Sequence, residues 1–171
     1  MLWKHVFLIG MPGSGKSSLG RRTAKETGLQ FADMDEMIEK AAGMSVTEFF
    51  SAHGEEAFRQ AETNLLCWLT RAKPMIISTG GGSVMREENR KIMRNWGSVI
   101  WVDRPPEEIA GDLRTENRPL LKDGGIEKLQ ALYAERMPVY REAADYTLNN
   151  NQGYMPALYA LIRILKDRLG A

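Results

Sequence analysis

The stretch Gly10-Met11-Pro12-Gly13-Ser14-Gly15-Lys16-Ser17, set directly after the apolar run Val6-Phe7-Leu8-Ile9, decides the fold. It fits the P-loop pattern G-x-x-x-x-G-K-[ST], whose glycines let successive backbone N–H groups turn inward around phosphates. In such a loop Lys16 reaches the outer phosphates and the Ser17 hydroxyl ligates Mg²⁺. Residues 18–27 read as a helix stopped by Gly28, so the loop lies between a buried strand and a helix N-terminus whose dipole favours anions. The competing reading is a glycine-rich turn that matches by accident. With glycine at about 7 % of residues, the four fixed positions coincide by chance in well under roughly 1 % of chains this long.

Composition narrows the partners. The chain has 171 residues, 43 % of them hydrophobic, which suits one α/β domain with a full core. Its 23 Lys and Arg nearly cancel its 22 Asp and Glu, so no global field is expected to attract nucleic acid or a membrane, and the partner is expected to be small. The apolar residues 6–9 are too few to span a bilayer and are explained by the strand that feeds the P-loop, so a cytoplasmic protein is expected. A lone Cys67 and two distant histidines, His5 and His53, assemble neither a disulfide framework nor a zinc site, and Cys67 is expected in the core.

The remainder alternates helix and strand. Residues 31–33 read as a strand, 36–42 as a helix stopped by Gly43, and Ser45-Val46-Thr47-Glu48 as a capping box opening a short helix that Gly54 ends. A helix is expected over 55–72, with Phe58, Ala61, Leu65, Trp68/Leu69 and Ala72 on its buried face. Strands follow at 75–78, 98–103 and 146–148, with helices at 86–96, from Pro105-Pro106 onward, at 126–136 and at 156–169. Short apolar strands between helices imply a parallel sheet covered on both faces, with functional loops at the strand C-terminal ends.

That rule gathers the P-loop, Asp33-Met34-Asp35, Gly80-Gly81-Gly82 and Asp103-Arg104 at one sheet edge. If the second strand runs through Asp35, Asp33 and Asp35 face the same side, one for the metal's waters and one for a proton from an attacking hydroxyl; the competing reading is a helix N-cap. The triple glycine suits close approach of a small substrate, or simply a tight turn. Residues 111–125 carry Arg114, Arg118 and Lys122 and read as a flap over the phosphates or as a solvated loop. Arg59 and Arg136 read as ligands or as partners of nearby acids, Glu55, Glu56 or Glu62 in the case of Arg59.

Six ordered blocks settle the kinship: residues 10–18, Asp33-Met34-Asp35, Gly54-Glu55-Glu56-Ala57-Phe58-Arg59, Thr79-Gly80-Gly81-Gly82, Arg118-Pro119-Leu120-Leu121 and Arg136-Met137-Pro138-Val139-Tyr140. Together they resemble shikimate kinase. The resemblance implies a nucleoside-monophosphate-kinase-like fold, a five-stranded parallel sheet flanked by helices, in one domain over 1–171. Its substrate-binding part would lie at about 33–61 and its lid at about 111–125. It implies transfer from ATP to the 3-hydroxyl of shikimate on the way to chorismate, by a monomer. By the same resemblance Gly13, Ser14, Gly15, Lys16, Ser17 and Ser18 hold ATP, and Ser17 and Asp33 serve Mg²⁺. Asp35 contacts the reacting hydroxyl, and Arg59 and Arg136 hold the shikimate carboxylate. Gly80, Gly81 and Gly82 line the pocket, Phe50 and Phe58 form its apolar wall, and Arg118 is the lid arginine beside Lys16 and Asp35 in catalysis. Arg114 and Gln152 fall at the adenine, although residues 114–118 are shorter than the usual lid approach and residues 150–153 match loosely. Guanidinium forks match a carboxylate bidentately, which agrees with that assignment of Arg59 and Arg136.

The alternatives are a gluconate-type or nucleoside monophosphate kinase and a non-catalytic nucleotide-binding regulator. The first two do not call for the Asp33/Asp35 pair together with Gly80–82 and Arg136. The sequence holds no Asn-Lys-x-Asp for guanine recognition, and it keeps Lys16, Asp35 and Arg136.

Overall fold

The computed structural model describes residues 4–115 and 125–170. Its elements run β1 (His5–Ile9), α1 (Lys16–Thr27), β2 (Phe31–Asp33), α2 (Met34–Ala42), α3 (Val46–Leu69) and β3 (Ile76–Ser78). After a 3₁₀ turn at Ser83–Met85 come α4 (Glu87–Trp96), β4 (Gly97–Asp103), α5 (Pro106–Thr115), α6 (Gly125–Ala143), β5 (Tyr146–Asn149) and α7 (Tyr154–Leu169). The strands form one parallel five-stranded sheet in the order β2-β3-β1-β4-β5.

The central strand explains the two layers. All of β1 is buried, and its side chains alternate between faces. Phe7 and Ile9 join Ile77, Val99 and Trp101 under Leu66 and Leu69 of α3, Met93 of α4 and Tyr140 of α6. Val6 and Leu8 join Ile76, Ile100 and Val102 under Leu19 of α1 and Leu158, Leu161 and Leu165 of α7. Each face of the apolar run thus requires its own layer of helices.

The strand expected at 31–33 forms as read, while several helix boundaries depart from the sequence expectations. β2 stops at Asp33 and α2 begins at Met34, because the Asp33 carboxylate caps the helix by accepting the N–H groups of Asp35 (3.1 Å) and Glu36 (3.2 Å). The extended strand through Asp35 is therefore replaced by the N-cap reading. In α3 the Ser45–Glu48 capping box forms as expected, and Gly54, at φ 81° and ψ 168°, breaks the helix without ending its course. The buried face of α3 is Phe58, Glu62, Thr63, Leu66 and Leu69, so Trp68 is 59 % exposed and the helix ends before Ala72. The expected stripe was rotated because two polar residues, Glu62 and Thr63, occupy the inward face. Cys67 is exposed for the same reason, not core filling. α6 continues past Arg136 through Pro138 to Ala143. The missing proline N–H costs about 3 kcal/mol in a helix interior, and burial of Tyr140 one residue pair later offsets it.

Candidate active site

Parallel registry brings five strand ends to one edge. Ser78 lies opposite both Leu8 and Asp33, and Asp103 opposite Asn149, so the loops after β1, β2, β3, β4 and β5 open on the same side. Gly13 (φ 79°) and Gly15 (φ 98°) adopt the left-handed backbone that a P-loop requires and that side-chain-bearing residues resist. Lys16 is buried, and its ammonium donates to the carbonyls of Gly10 (2.9 Å) and Met11 (2.8 Å). Burial brings its pKa down to about 8 against the raising pull of Asp35 and Asp33, with the Arg136 charge adding to the depression. The Ser17 and Ser78 hydroxyls sit 3.2 Å apart. Ser18 is exposed and donates to the Gly15 carbonyl at 3.1 Å.

Asp35 stands in the first turn of α2, half-buried. Burial first and the neighbouring Asp33 second push its pKa up, while Lys16 pulls it down. Across the cleft, the glycines after β3 are pressed against side chains. A Cβ at Gly80 would run into the Glu62 carboxylate and come within 2.8 Å of Asp35 Oδ1. One at Gly81 would meet Pro12 of the P-loop at 2.8 Å, and one at Gly82 would collide with the Arg59 guanidinium. The triple glycine is therefore a close-approach seam joining the P-loop, α2 and α3. Tyr140 of α6 fixes it by donating to the Gly81 carbonyl at 2.6 Å.

Arg59 lies between Glu62 (Nη1 to Oε2, 2.7 Å) and Glu55 (Nη2 to Oε1, 3.1 Å; Nε to Oε1, 3.3 Å). Phe50 and Phe58 flank its guanidinium, with ring centres 5.7 and 5.8 Å from Cζ. Three of its five N–H groups are engaged in these bonds, which leaves one on each terminal nitrogen. Arg136 projects from α6 into the same cluster, where its charge acts on Lys16, Glu62 and Tyr140, and its Nε is buried with no hydrogen-bond partner among the described residues. A buried donor left unpaired is costly, and an anionic ligand would satisfy it.

The structure thus brings together the P-loop, Asp33, Asp35, Arg59, Gly80–82 and Arg136. Gln152 is exposed at the far edge of the sheet, lining a groove of about 500 Å³ with Thr147, Asn149 and Pro156. The expectations for Arg118 and for the side chain of Arg114 fall outside the described residues, as does most of the 111–125 flap. Three residues of the cleft lacked a motif to announce them. Glu62, read only as one possible helical partner of Arg59, is fully buried, and desolvation raises its pKa against the opposing pull of Arg59; its Oε1 has no partner among the described residues. Asn89 receives the Thr63 hydroxyl (2.8 Å) and donates to the Ser83 carbonyl (2.8 Å), tying α3 to the turn after the glycines. Asn150 donates to the P-loop carbonyl of Ser14 at 2.8 Å.

Known proteins with this arrangement point one way. A sequence model of the family described as shikimate kinase matches residues 12–163. The shikimate kinase of Paracidovorax citrulli is 43% identical over 152 residues, covering 86% of this chain and 83% of that protein. The shikimate kinase of Clostridium beijerinckii is 40% identical over 164 residues, 96% of each. The solved structure of Acinetobacter baumannii shikimate kinase in complex with shikimate superposes with a TM-score of 0.86 at 36% identity, covering 97% of this chain and 95% of that one. A sugar kinase of Janibacter shares the fold at a TM-score of 0.62 and 19% identity. With the P-loop, the glycine seam and the paired arginines in one cleft, and a family match over nearly the whole chain, the protein belongs to the shikimate kinase family, ATP-dependent phosphotransferases with an alcohol acceptor.

Proposed function

We propose that the chain carries out its family's reaction, ATP plus shikimate giving shikimate 3-phosphate and ADP, with the following division of labour. The backbone of Gly13–Ser18 and the Lys16 ammonium hold the phosphates, and Lys16 turns from the Gly10 and Met11 carbonyls to the transferring group. The two unengaged N–H groups of Arg59 and the orphaned Nε face of Arg136 take the substrate carboxylate. Asp35 orients the 3-hydroxyl and accepts its proton. The observation that carries this reading is the convergence of two arginines and Asp35 around Gly80–82, opposite the P-loop lysine.

Ser17 and Asp33 supply hard oxygen donors beside Lys16, a set that suits a Mg²⁺ retaining water and phosphate ligands. That ion, when bound, neutralises charge on the β- and γ-phosphate oxygens. The assignments of Arg118 to the transferring phosphate and of Arg114 and Gln152 to the adenine rest on the resemblance alone. Action as a monomer is proposed from the resemblance alone. Among the described residues no helix is long and apolar enough to cross a membrane, and the cytoplasm is the proposed location.

An ADP-release assay offering shikimate, gluconate and AMP separately tests the reading. Turnover with shikimate and none with the other two is expected. Turnover with AMP or gluconate in place of shikimate would overturn it.

A further inference from the structure

The P-loop is gripped from outside by two side chains that no phosphate-binding motif contains. Asn150, in the loop after β5, is buried and donates its amide to the Ser14 carbonyl at 2.8 Å. Its own N–H is fixed to the Asp103 carbonyl at 2.7 Å. Arg104, one residue after β4, donates from Nη1 to the adjacent Gly13 carbonyl at 3.3 Å and is itself held by Asp112 (2.7 Å) and Glu108 (3.7 Å) of α5. The fit leaves no room for side chains. A Cβ on Gly15 would stand 2.8 Å from the Asn150 amide, and one on Gly13 2.9 Å from Ile109 of α5.

In a trans peptide the carbonyl and the following N–H point in opposite directions. Drawing the Ser14 carbonyl outward to Asn150 therefore turns the Gly15 N–H inward, toward the phosphates. Drawing the Gly13 carbonyl out to Arg104 orients the Ser14 N–H, which closes the turn by donating to Met11 O at 3.1 Å. We propose that Asn150 and Arg104 are positioning residues for phosphoryl transfer: Asn150 presets the inward Gly15 N–H of the P-loop for a triphosphate, and Arg104 secures the Met11–Ser14 turn on which that N–H is carried. Neither touches the transferring group. Their effect is to remove reorganisation from nucleotide binding, since donors already aimed at an anion need no rearrangement when it arrives. Asn150 is uncharged, so its contribution is separable from any general attraction of cations for ATP.

Titration calorimetry of the full chain with inorganic tripolyphosphate and Mg²⁺, alongside steady-state kinetics, tests this. In Asn150→Ala the tripolyphosphate dissociation constant and the KM for ATP should both rise by on the order of tenfold, the loss of one well-placed hydrogen bond. The KM for shikimate should stay within about twofold, which a generally loosened fold would not allow. Arg104→Ala should act in the same direction, with Arg104→Lys recovering part of the loss because it restores a donor. If Asn150→Ala does not fold, the Arg104 pair carries the test, since that side chain lies nearer the surface. Unchanged tripolyphosphate affinity in the folded variants overturns the proposal, and so does a parallel loss of tripolyphosphate and shikimate affinity.

Discussion

The two walls of the cleft recognise anions by opposite means. The P-loop wall is made of backbone: glycines at positive φ strip away side chains, and the buried cation Lys16 rests on carbonyl oxygens. The α3 wall is made of side chains: Arg59 is held between two carboxylates and two aromatic rings, and Glu62 is buried whole to hold it. A backbone site gains its precision from chain geometry and tolerates almost no added atom. A side-chain site gains it from charge packing, and its cost is desolvation, visible in the raised pKa of Glu62. Asp35 sits where the walls meet, beside Lys16 on one side and the Gly80 and Arg59 seam on the other.

Breaking the junction should have the largest effect. Asp35→Asn keeps the size of the side chain and removes the proton acceptor, so kcat should fall by about 10²–10⁴ with ATP affinity retained. In the parent, the acid limb of kcat/KM should lie above the ordinary carboxylate range, because burial and Asp33 hold the Asp35 proton on. That limb should vanish in the variant. A small drop with the limb still present would assign Asp35 to orientation alone, as a loose transition state allows.

The side-chain wall should break selectively. Arg59→Lys or Arg136→Lys keeps the charge and loses the fork, so the KM for shikimate should rise by about tenfold or more while that for ATP changes little. Equal changes in both would make the arginines struts of the cleft, and the contrast between its walls would collapse.

The same contrast explains what could be read without coordinates. A backbone site is written as glycine spacing, so the P-loop, its strand and its helix were legible to within two residues, and the parallel sheet followed from short apolar runs between helices. Asp35, Arg59, Gly80–82 and Arg136 were expected together through the ordered blocks that resemble shikimate kinase, and the structure gathers them in one cleft. Glu62 was not, since a buried carboxylate and an exposed one look alike in sequence; the same ambiguity rotated the expected face of α3 and misplaced Trp68 and Cys67. The strand at 31–33 was read as it lies, but the start of α2 was set two residues late because Asp33 serves both as helix cap and as a cleft carboxylate. The helix expected over 126–136 runs on through Pro138 to Ala143, the proline's cost being outweighed by Tyr140, buried two residues later.

The backbone wall should respond to pH through Lys16 alone. With a pKa brought down to about 8 by burial, the ammonium of the free enzyme loses its proton as pH rises through that value. The kcat/KM for ATP should therefore fall several-fold between about pH 7.5 and 9. Saturating ATP should largely restore turnover, because bound phosphates favour the charged form. A flat profile for ATP over that range would remove the lysine from the free-enzyme phosphate site.

The smallest effect should come from the far end of the central strand, where neither wall reaches. His5 opens β1, buried beside Phe7, with Nδ1 lacking a hydrogen-bond partner among the described residues. Burial lowers its pKa, only partly countered by the Thr70 backbone. A histidine kept neutral in the folded protein binds fewer protons there than in the unfolded chain, whose histidines titrate at about 6.5. Its contribution to stability is thus complete above that pH and declines as pH falls below it. Thermal unfolding of the parent and of His5→Gln between about pH 5 and 7.5 isolates the term: the parent's midpoint should drop more steeply on acidification. The KM values of the two proteins should agree throughout, since β1 meets the phosphates only at its other end. Matching slopes would show that His5 takes up its proton as readily folded as unfolded, and a divergence in KM for ATP would extend the backbone wall along the whole of β1.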